Sequence, residues 1–242
     1  MKVALVCIAK NEDNYIKEWI TYHKKLGFDD IFIYENNWKS NIKETNVYTL
    51  KFNGEVKQVE SYNHFIINYS GEYGWVSFID IDEFIVLKKH RNIKEFISEY
   101  SESDINGIAI NWVLFGNNGH EDIIDNNYSV LERFTKRQVE TNQHTKTLLK
   151  LPHTNFRMVD PHHPNVPLVD TNFNIVNSAL NPKGDTNVIQ INHYFCKTLK
   201  EFQEKIDRGR ADIPTKRNVE DWVVHNSNEV EDFTALDFYK KN

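Results

Sequence analysis

The chain has only two cysteines in 242 residues, Cys7 and Cys196. Each stands in an apolar run, where a free thiol behaves as a small buried hydrophobe, so a disulfide framework is not expected. No long Lys/Arg block occurs, and acidic residues outnumber basic ones by 35 to 29. The broad electropositive surface of a nucleic-acid binder is therefore missing. One cleft can still take an anion, because a bound cation or a few local lysines and arginines reverse the field inside it. No apolar stretch approaches a membrane span, and the run behind Met1-Lys2 is too short for a signal-peptide core, so the expected location is cytoplasmic. There is no internal repeat and no low-complexity tract. The three histidines His153, His162 and His163 lie among prolines, without the spaced Cys and His ligands of a structural zinc site.

Hydrophobic patterning predicts an α/β domain. Residues 3–9 form a continuous apolar, β-branched run that suits a doubly buried strand. Apolar residues then recur at helical spacing over 13–26, and Gly27 follows as a stop. Residues 30–34 read as a second strand and 56–59 as a third. A helix is expected over 62–69, a buried strand over 75–79, a helix over 93–100, and strands over 107–115, 130–134, 147–151 and 188–195. Residues 152–187 read as loop, 199–208 as an amphipathic helix ended by Gly209, and the tail after Pro214 is polar with scattered aromatics. Polar residues at the ends of the early strands stand where open α/β sheets bind their ligands.

One acidic group interrupts this pattern. Asp80 and Asp82 are two apart in a strand-like segment, so their side chains are expected on one side, with Ile81 on the other. Adjacent carboxylates repel unless a cation lies between them, and a hard divalent ion such as Mn²⁺ or Mg²⁺ takes oxygen ligands and bridges to a diphosphate. Alone, an Asp-x-Asp pair is more often a solvated turn; here it follows a hydrophobic strand and precedes Phe84-Ile85-Val86-Leu87. His193, at the end of another apolar run, is a candidate third metal ligand, against the alternative of a satisfied core histidine. Lys197, Lys205, Arg208 and Arg210 follow and are candidates for neutralising phosphate charge. His120, Glu121 and Asp122, after a glycine-bracketed loop, are candidates for a general base, and Trp112 either stacks on a ligand or packs in the core.

Taken in order, several segments resemble the glycosyltransferase family 2-like and family 92-like group of GT-A enzymes. They are Ala9-Lys10-Asn11-Glu12, Glu18-Trp19-Ile20, Leu26-Gly27-Phe28, Ile33-Tyr34-Glu35-Asn36-Asn37, Ile79-Asp80-Ile81-Asp82-Glu83-Phe84, Trp112 with Phe115-Gly116, Glu132-Arg133-Phe134, Lys146-Thr147, and His193-Tyr194 with Lys197 and Arg208-Gly209. The resemblance implies a GT-A fold, Rossmann-like with a mostly parallel central sheet flanked by helices, and a C-terminal helical extension. A single domain over 1–242 is expected, with a nucleotide-sugar part to about residue 105, an acceptor and metal-completing part to about 212, and a tail over 213–242. The resemblance further implies a nucleotide-diphosphate sugar donor, a UDP-hexose such as UDP-galactose or UDP-glucose, and a divalent metal on Asp82 and His193 with Asp80 in support. Lys10, Asn11, Glu12, Glu35 and Asn36 would hold the nucleoside, with Asp80, Trp112, Lys197 and Arg208 also at the donor. Glu35-Asn36-Asn37-Trp38-Lys39-Ser40 stands where such sequences continue as Asp-Asn-x-Ser. The base on Glu121, Asp122 or His120 comes from loop position, outside the shared pattern.

The expected reaction is inverting transfer to a hydroxyl of a glycan or lipid-linked glycan, in surface polysaccharide or glycoconjugate synthesis. Peripheral contact with the inner face of a membrane is compatible with such an acceptor. The competing readings are a metal-dependent nucleotidyltransferase or phosphoesterase, and a non-catalytic glycan-binding domain. Lys10-Asn11-Glu12 replaces the glycine-rich phosphate loop that the nucleotidyltransferase would place after the first strand.

Overall fold

The computed structural model describes residues 1–123, 126–151 and 155–241; His153 lies outside them. Strand β1 (Val3–Ala9) is buried throughout. Val3, Leu5, Cys7 and Ala9 pack on one face of the sheet, and Ala4, Val6 and Ile8 on the other. Helix α1 (Ile16–Leu26) lays Ile16, Trp19, Ile20, Tyr22 and Leu26 on the first face. It ends at Gly27, whose φ of 101° is free for glycine and strained for any side chain. Gly27→Ala is expected to cost about 1–2 kcal/mol through that left-handed conformation, read as a lower urea midpoint at unchanged slope. Strand β2 (Asp30–Glu35) runs parallel to β1.

The third strand differs from the sequence reading. Strand β3 is Val47–Lys51, parallel to β2 at the sheet edge. Residues 56–59 instead lead into helix α2 (Gln58–Tyr69), with Val56 at a φ of 51°. An edge strand leaves much of its surface in water and so carries little apolar signal. Helix α2 covers the second face with Tyr62, Phe65 and Ile66. Strand β4 (Trp75–Phe78) is parallel to β1 on its other side, which completes a parallel half in the order β3-β2-β1-β4.

Strand β5 (Glu83–Leu87), helix α3 (Ile93–Ser98) and strand β6 (Gly107–Leu114) follow. Residues 130–134, expected as a strand, open with a helical turn, α4 (Val130–Arg133). Capping is the reason: Ser129 accepts from the Glu132 amide, and the Glu18 carboxylate on α1 accepts from the Val130 amide at 2.7 Å. Next come β7 (Lys136–Arg137), β8 (Asn142–Lys150), β9 (Leu168–Val169), β10 (Ile175–Val176) and β11 (Ile189–His193). Strand β8 lies antiparallel between β4 and β6, and β11 is parallel to β6 and antiparallel to β5. Among the described residues this gives one ten-stranded mixed sheet. Helices α1 and α3 pack on one face and α2 on the other. This is the α/β architecture expected from the sequence, with its Rossmann-like parallel half.

Helix α5 (Leu199–Arg208) starts in a reciprocal capping box between Thr198 and Glu201. The C-terminal extension is helical: α6 (Val219–His225), then β12 (Val230–Glu231) paired with β7, then α7 (Thr234–Lys241). Two of its aromatics pack against helix α1. Phe238 meets Tyr22 with ring centroids 5.2 Å apart, and the Lys25 ammonium lies 4.4 Å from the Tyr239 ring centre. Cys7 and Cys196 are buried free thiols. No described helix is long and apolar enough to cross a membrane.

Candidate functional site

Asp80 and Asp82 do not lie within a strand. They occupy the turn between β4 and β5, closed by a hydrogen bond from the Glu83 amide to the Asp80 carbonyl at 3.1 Å. Turn geometry, rather than strand alternation, brings both carboxylates to one cleft. The turn is fixed from three sides. The Glu83 carboxylate accepts from the Asp80 amide at 2.8 Å, the Trp19 indole donates to the Glu83 carbonyl at 2.8 Å, and the Tyr194 amide donates to the Asp82 carbonyl at 2.8 Å.

Sheet register delivers the remaining groups. Antiparallel pairing of β5 with β11 sets His193 opposite Glu83, so His193 Nε2 lies 3.7 Å from Asp82 Oδ1. Pairing of β4 with β8 sets Thr147 opposite Phe78, and Lys146, one residue earlier, donates to Asp80 Oδ2 at 2.9 Å. Lys146 is also 3.5 Å from Glu83. Lys205 on α5 donates to Asp82 Oδ2 at 2.5 Å, and Gln58 donates to Asp80 Oδ1 at 2.6 Å.

The protonation states follow from burial and these partners. Burial opposes the charge on Asp80, but Lys146 outweighs it and holds the carboxyl below its ordinary range. For Asp82 burial is likewise overcome, by Lys205 and His193 together, and the group sits well below that range. Glu83 goes the other way: burial pushes it up to about 8 despite Lys146, so it keeps its proton at neutral pH. Burial lowers His193 to about 4, which leaves a neutral imidazole fit to ligate a metal. Lys205 is lowered to about 8, again chiefly by burial, with Asp82 opposing. Glu83 Oε1 and His193 Nδ1 face each other 4.0 Å apart, each buried without a hydrogen-bond partner in the described structure.

A divalent ion fits part of this arrangement. Two ligands each about 2.1 Å from one ion stand about 3–4 Å apart, which matches Asp82 Oδ1 and His193 Nε2. No set of three His, Cys, Asp or Glu side chains is gathered in metal-binding geometry among the described residues. Asp80, expected as a third ligand, turns toward Lys146 and Gln58 instead. A protein contribution of two ligands suits an ion whose other positions are filled by phosphate oxygens and water.

The cleft has a volume of about 300 Å³. Of the expected donor residues, Lys10, Glu12, Asn36, Asp80, Trp112 and Arg208 line it. The first strand's loop and α5 interlock there: Lys10 Nζ donates to the Arg208 carbonyl at 2.8 Å, Arg208 donates to the Lys10 carbonyl at 3.2 Å, and Arg208 is ion-paired with Glu12. Trp112 belongs to the cleft wall more than to the core. A register shift between Asn111 and Trp112 re-aims its ring, which stacks on His144 at 5.0 Å and meets His193 edge-on at 4.2 Å.

Other expectations fall elsewhere. Glu35 is buried and spends its carboxylate on the Ser40 amide and hydroxyl, at 2.8 and 2.6 Å, outside the cleft wall. Asn11 and Lys197 line a second cavity of about 260 Å³, which shares Phe195, Lys205 and Arg208 with the first. Lys197 has a φ of 49°, and its ammonium sits 3.5 Å from the Tyr15 ring centre.

The candidate bases His120, Glu121 and Asp122 line neither cavity. Their loop is tied to the C-terminal extension, where the Asn117 and Asn118 amides donate to Asn226 and Asn228 side chains at 2.8 and 2.7 Å. Asp122 pairs with Lys200 at the surface, 3.0 Å away. Among the groups in or beside the cleft to which the sequence reading gives no chemical role are Lys146, Arg217 and His225. Lys146 could have been suspected from a lysine inside the otherwise apolar and β-branched run Thr145–Leu149, since a buried ammonium demands an acid. Arg217 and His225 lie in the tail, where no local pattern marks them.

The model of glycosyltransferase family 92 matches residues 49–223. A glycosyltransferase family 92 protein of Ricinus communis is 25% identical over 221 residues, covering 87% of this chain and 38% of that protein. One of Arabidopsis thaliana is 25% identical over 219 residues, covering 83% of this chain and 36% of that protein. The chain thus spans under two fifths of the length of these curated relatives. The crystal structure of S. aureus TarS 1-349 is similar over 62% of this chain and 47% of that chain, at 16% identity and a TM-score of 0.36. The matched segment of the family model carries the acidic turn, Lys146, His193, Lys205 and Arg217, and the chain belongs to glycosyltransferase family 92.

Proposed function

We propose that this chain is a metal-dependent glycosyltransferase that moves a hexose from a nucleotide-diphosphate donor, a UDP-sugar in the first instance, to a hydroxyl of a glycan acceptor. The observation that carries this reading is Asp82 Oδ1 and His193 Nε2, 3.7 Å apart at the wall of a cleft also lined by Lys205, Arg208, Arg210 and Arg217. Two ligands for a hard cation beside several guanidinium groups suit a diphosphate. A single carboxylate pair exposed to solvent would not.

Asp82 and His193 would hold Mn²⁺ or Mg²⁺, which when bound supplies Lewis-acid neutralisation of a departing diphosphate. Lys205 stands ready on the other oxygen of Asp82 to shift toward phosphate as charge develops. On the nucleoside side, Glu12 Oε2 is buried in the cleft wall without a hydrogen-bond partner in the described structure. It is an acceptor suited to a ribose hydroxyl. The Trp112 ring next to His193 offers a flat apolar face for the sugar. A single displacement at the anomeric carbon, with the acceptor attacking opposite the diphosphate, inverts configuration.

A thermal-shift panel tests the reading. UDP, GDP and CDP are compared with Mn²⁺ and with EDTA, and stabilisation is expected only when one nucleotide and the metal are present together. At a ligand concentration 100 times its dissociation constant the gain is about 2.7 kcal/mol. Sugar binding that ignores both nucleotide and chelator would overturn it in favour of a glycan-binding domain.

A further inference from the structure

Four cationic side chains from α5 and the segment after it converge on the donor cleft: Lys205, Arg208, Arg210 and Arg217. Three of them are matched by carboxylates of the chain itself. Lys205 is paired with Asp82, Arg208 with Glu12 and Arg210 with Asp212. Arg217 has neither a salt bridge nor a hydrogen bond to any acceptor among the described residues. Its guanidinium carbon lies 5.9 Å from the Phe195 ring centre. Burial lowers its pKa, and Arg210 and Arg208 lower it further by repulsion, while Asp82 and Asp212 oppose them. Gathering like charges beside an unmatched guanidinium is unfavourable unless an anion is there to share. Arginine's planar fork suits phosphate in particular.

We infer that Arg217, delivered by the C-terminal extension, binds the diphosphate of the donor. The inference rests on the donor reading above and assigns the extension a place in the site. Its segment is tied to the sheet side of the cleft by a hydrogen bond from the Gln58 amide to the Ala211 carbonyl at 2.9 Å. Gln58 is also the residue that donates to Asp80. The acidic turn and the arginine-bearing segment therefore share a contact at the start of α2.

The test uses the intact chain and the variants Arg217→Ala and Arg217→Lys. Titration calorimetry with Mn²⁺ present measures UDP, GDP and CDP, each against its own monophosphate. For the nucleotide that binds the wild type best, Arg217→Ala is expected to weaken the diphosphate about tenfold or more and the monophosphate markedly less. Arg217→Lys should fall between. A melting temperature without ligand close to that of the wild type is expected, since Arg217 makes no salt bridge or side-chain hydrogen bond among the described residues and only a long contact with the Phe195 ring. Diphosphate affinity within twofold of wild type, or equal loss for both phosphate forms, would overturn the assignment of Arg217 alone. Failure of the wild type to bind any nucleoside diphosphate would overturn the donor reading with it.

Discussion

Asp82→Asn is expected to lower turnover about 10²–10³-fold in buffer saturated with Mn²⁺, the scale seen when one group stabilising developing charge is removed. Two separate losses are combined in that number. The amide is a poor ligand for a hard cation, so metal affinity falls and neutralisation of the departing diphosphate falls with it. The variant also strands Lys205, whose side chain is 10% exposed and whose charge was matched by Asp82 at 2.5 Å. Breaking a buried pair from one side costs about 3–5 kcal/mol, so some of the lost activity could reflect unfolding. The double variant Asp82→Asn/Lys205→Met separates the two. It removes the stranded ammonium and is expected to recover most of the stability and none of the activity. Manganese binding, followed by electron paramagnetic resonance without any substrate, should weaken in both variants. Full activity of Asp82→Asn at saturating Mn²⁺ would show the metal assignment to be wrong.

Arg133→Met is expected to destabilise the fold by about 3–5 kcal/mol, because it leaves Glu201 charged and buried without its cation. The Arg133 guanidinium grips Glu201 with two bonds, 2.9 and 2.7 Å long. Tyr15 and Thr198 donate to the same carboxylate, at 2.7 Å each. The cluster joins α1, α4 and the first turn of α5, and α5 carries Lys205 and Arg208 into the cleft. Burial opposes the Glu201 charge, but Arg133 and Thr198 overcome it and lower its pKa to about 2. A depressed carboxylate contributes stability that is complete above its unfolded value of about 4.3 and is lost as pH falls through about 2. In the variant the carboxylate takes up its proton earlier. The gap between wild type and variant in urea melts should thus be widest at pH 7 and close steadily below pH 4. A gap that stays constant with pH would show that Glu201 is not the group responsible.

Much of the site could be read locally. The doubly buried run at Val3–Ala9, the helix stopped by Gly27, the amphipathic helix ended by Gly209 and the acidic residues after β4 are all features of neighbouring residues. Each is decided by local periodicity, glycine geometry or short-range hydrogen bonding, and each was found in place. The edge strand Val47–Lys51 escaped because a half-solvated strand carries little apolar signal, and its identity depends on pairing with β2. Local pattern makes Val130–Arg133 resemble a strand, whereas its helical turn depends partly on a cap from Glu18, 112 residues away in sequence. The loop bearing His120 and Asp122 lines neither cavity, and asparagine side chains of the C-terminal extension, over 100 residues away in sequence, hold it.

The sequence by itself determined strands β1, β2 and β4 of the parallel half, the acidic residues that follow β4 and the basic residue types suited to a diphosphate. Tertiary structure alone decided which of them meet. Strand register puts His193 beside Asp82 and Lys146 beneath Asp80, and α5 brings Lys205 across 123 residues to the same carboxylate. It also turned a tail that looked peripheral into the source of Arg217. Local periodicity reports which face of an element is apolar. Which charges share a cleft depends on strand pairing and helix docking between segments far apart in the chain, and no window of neighbouring residues contains that information.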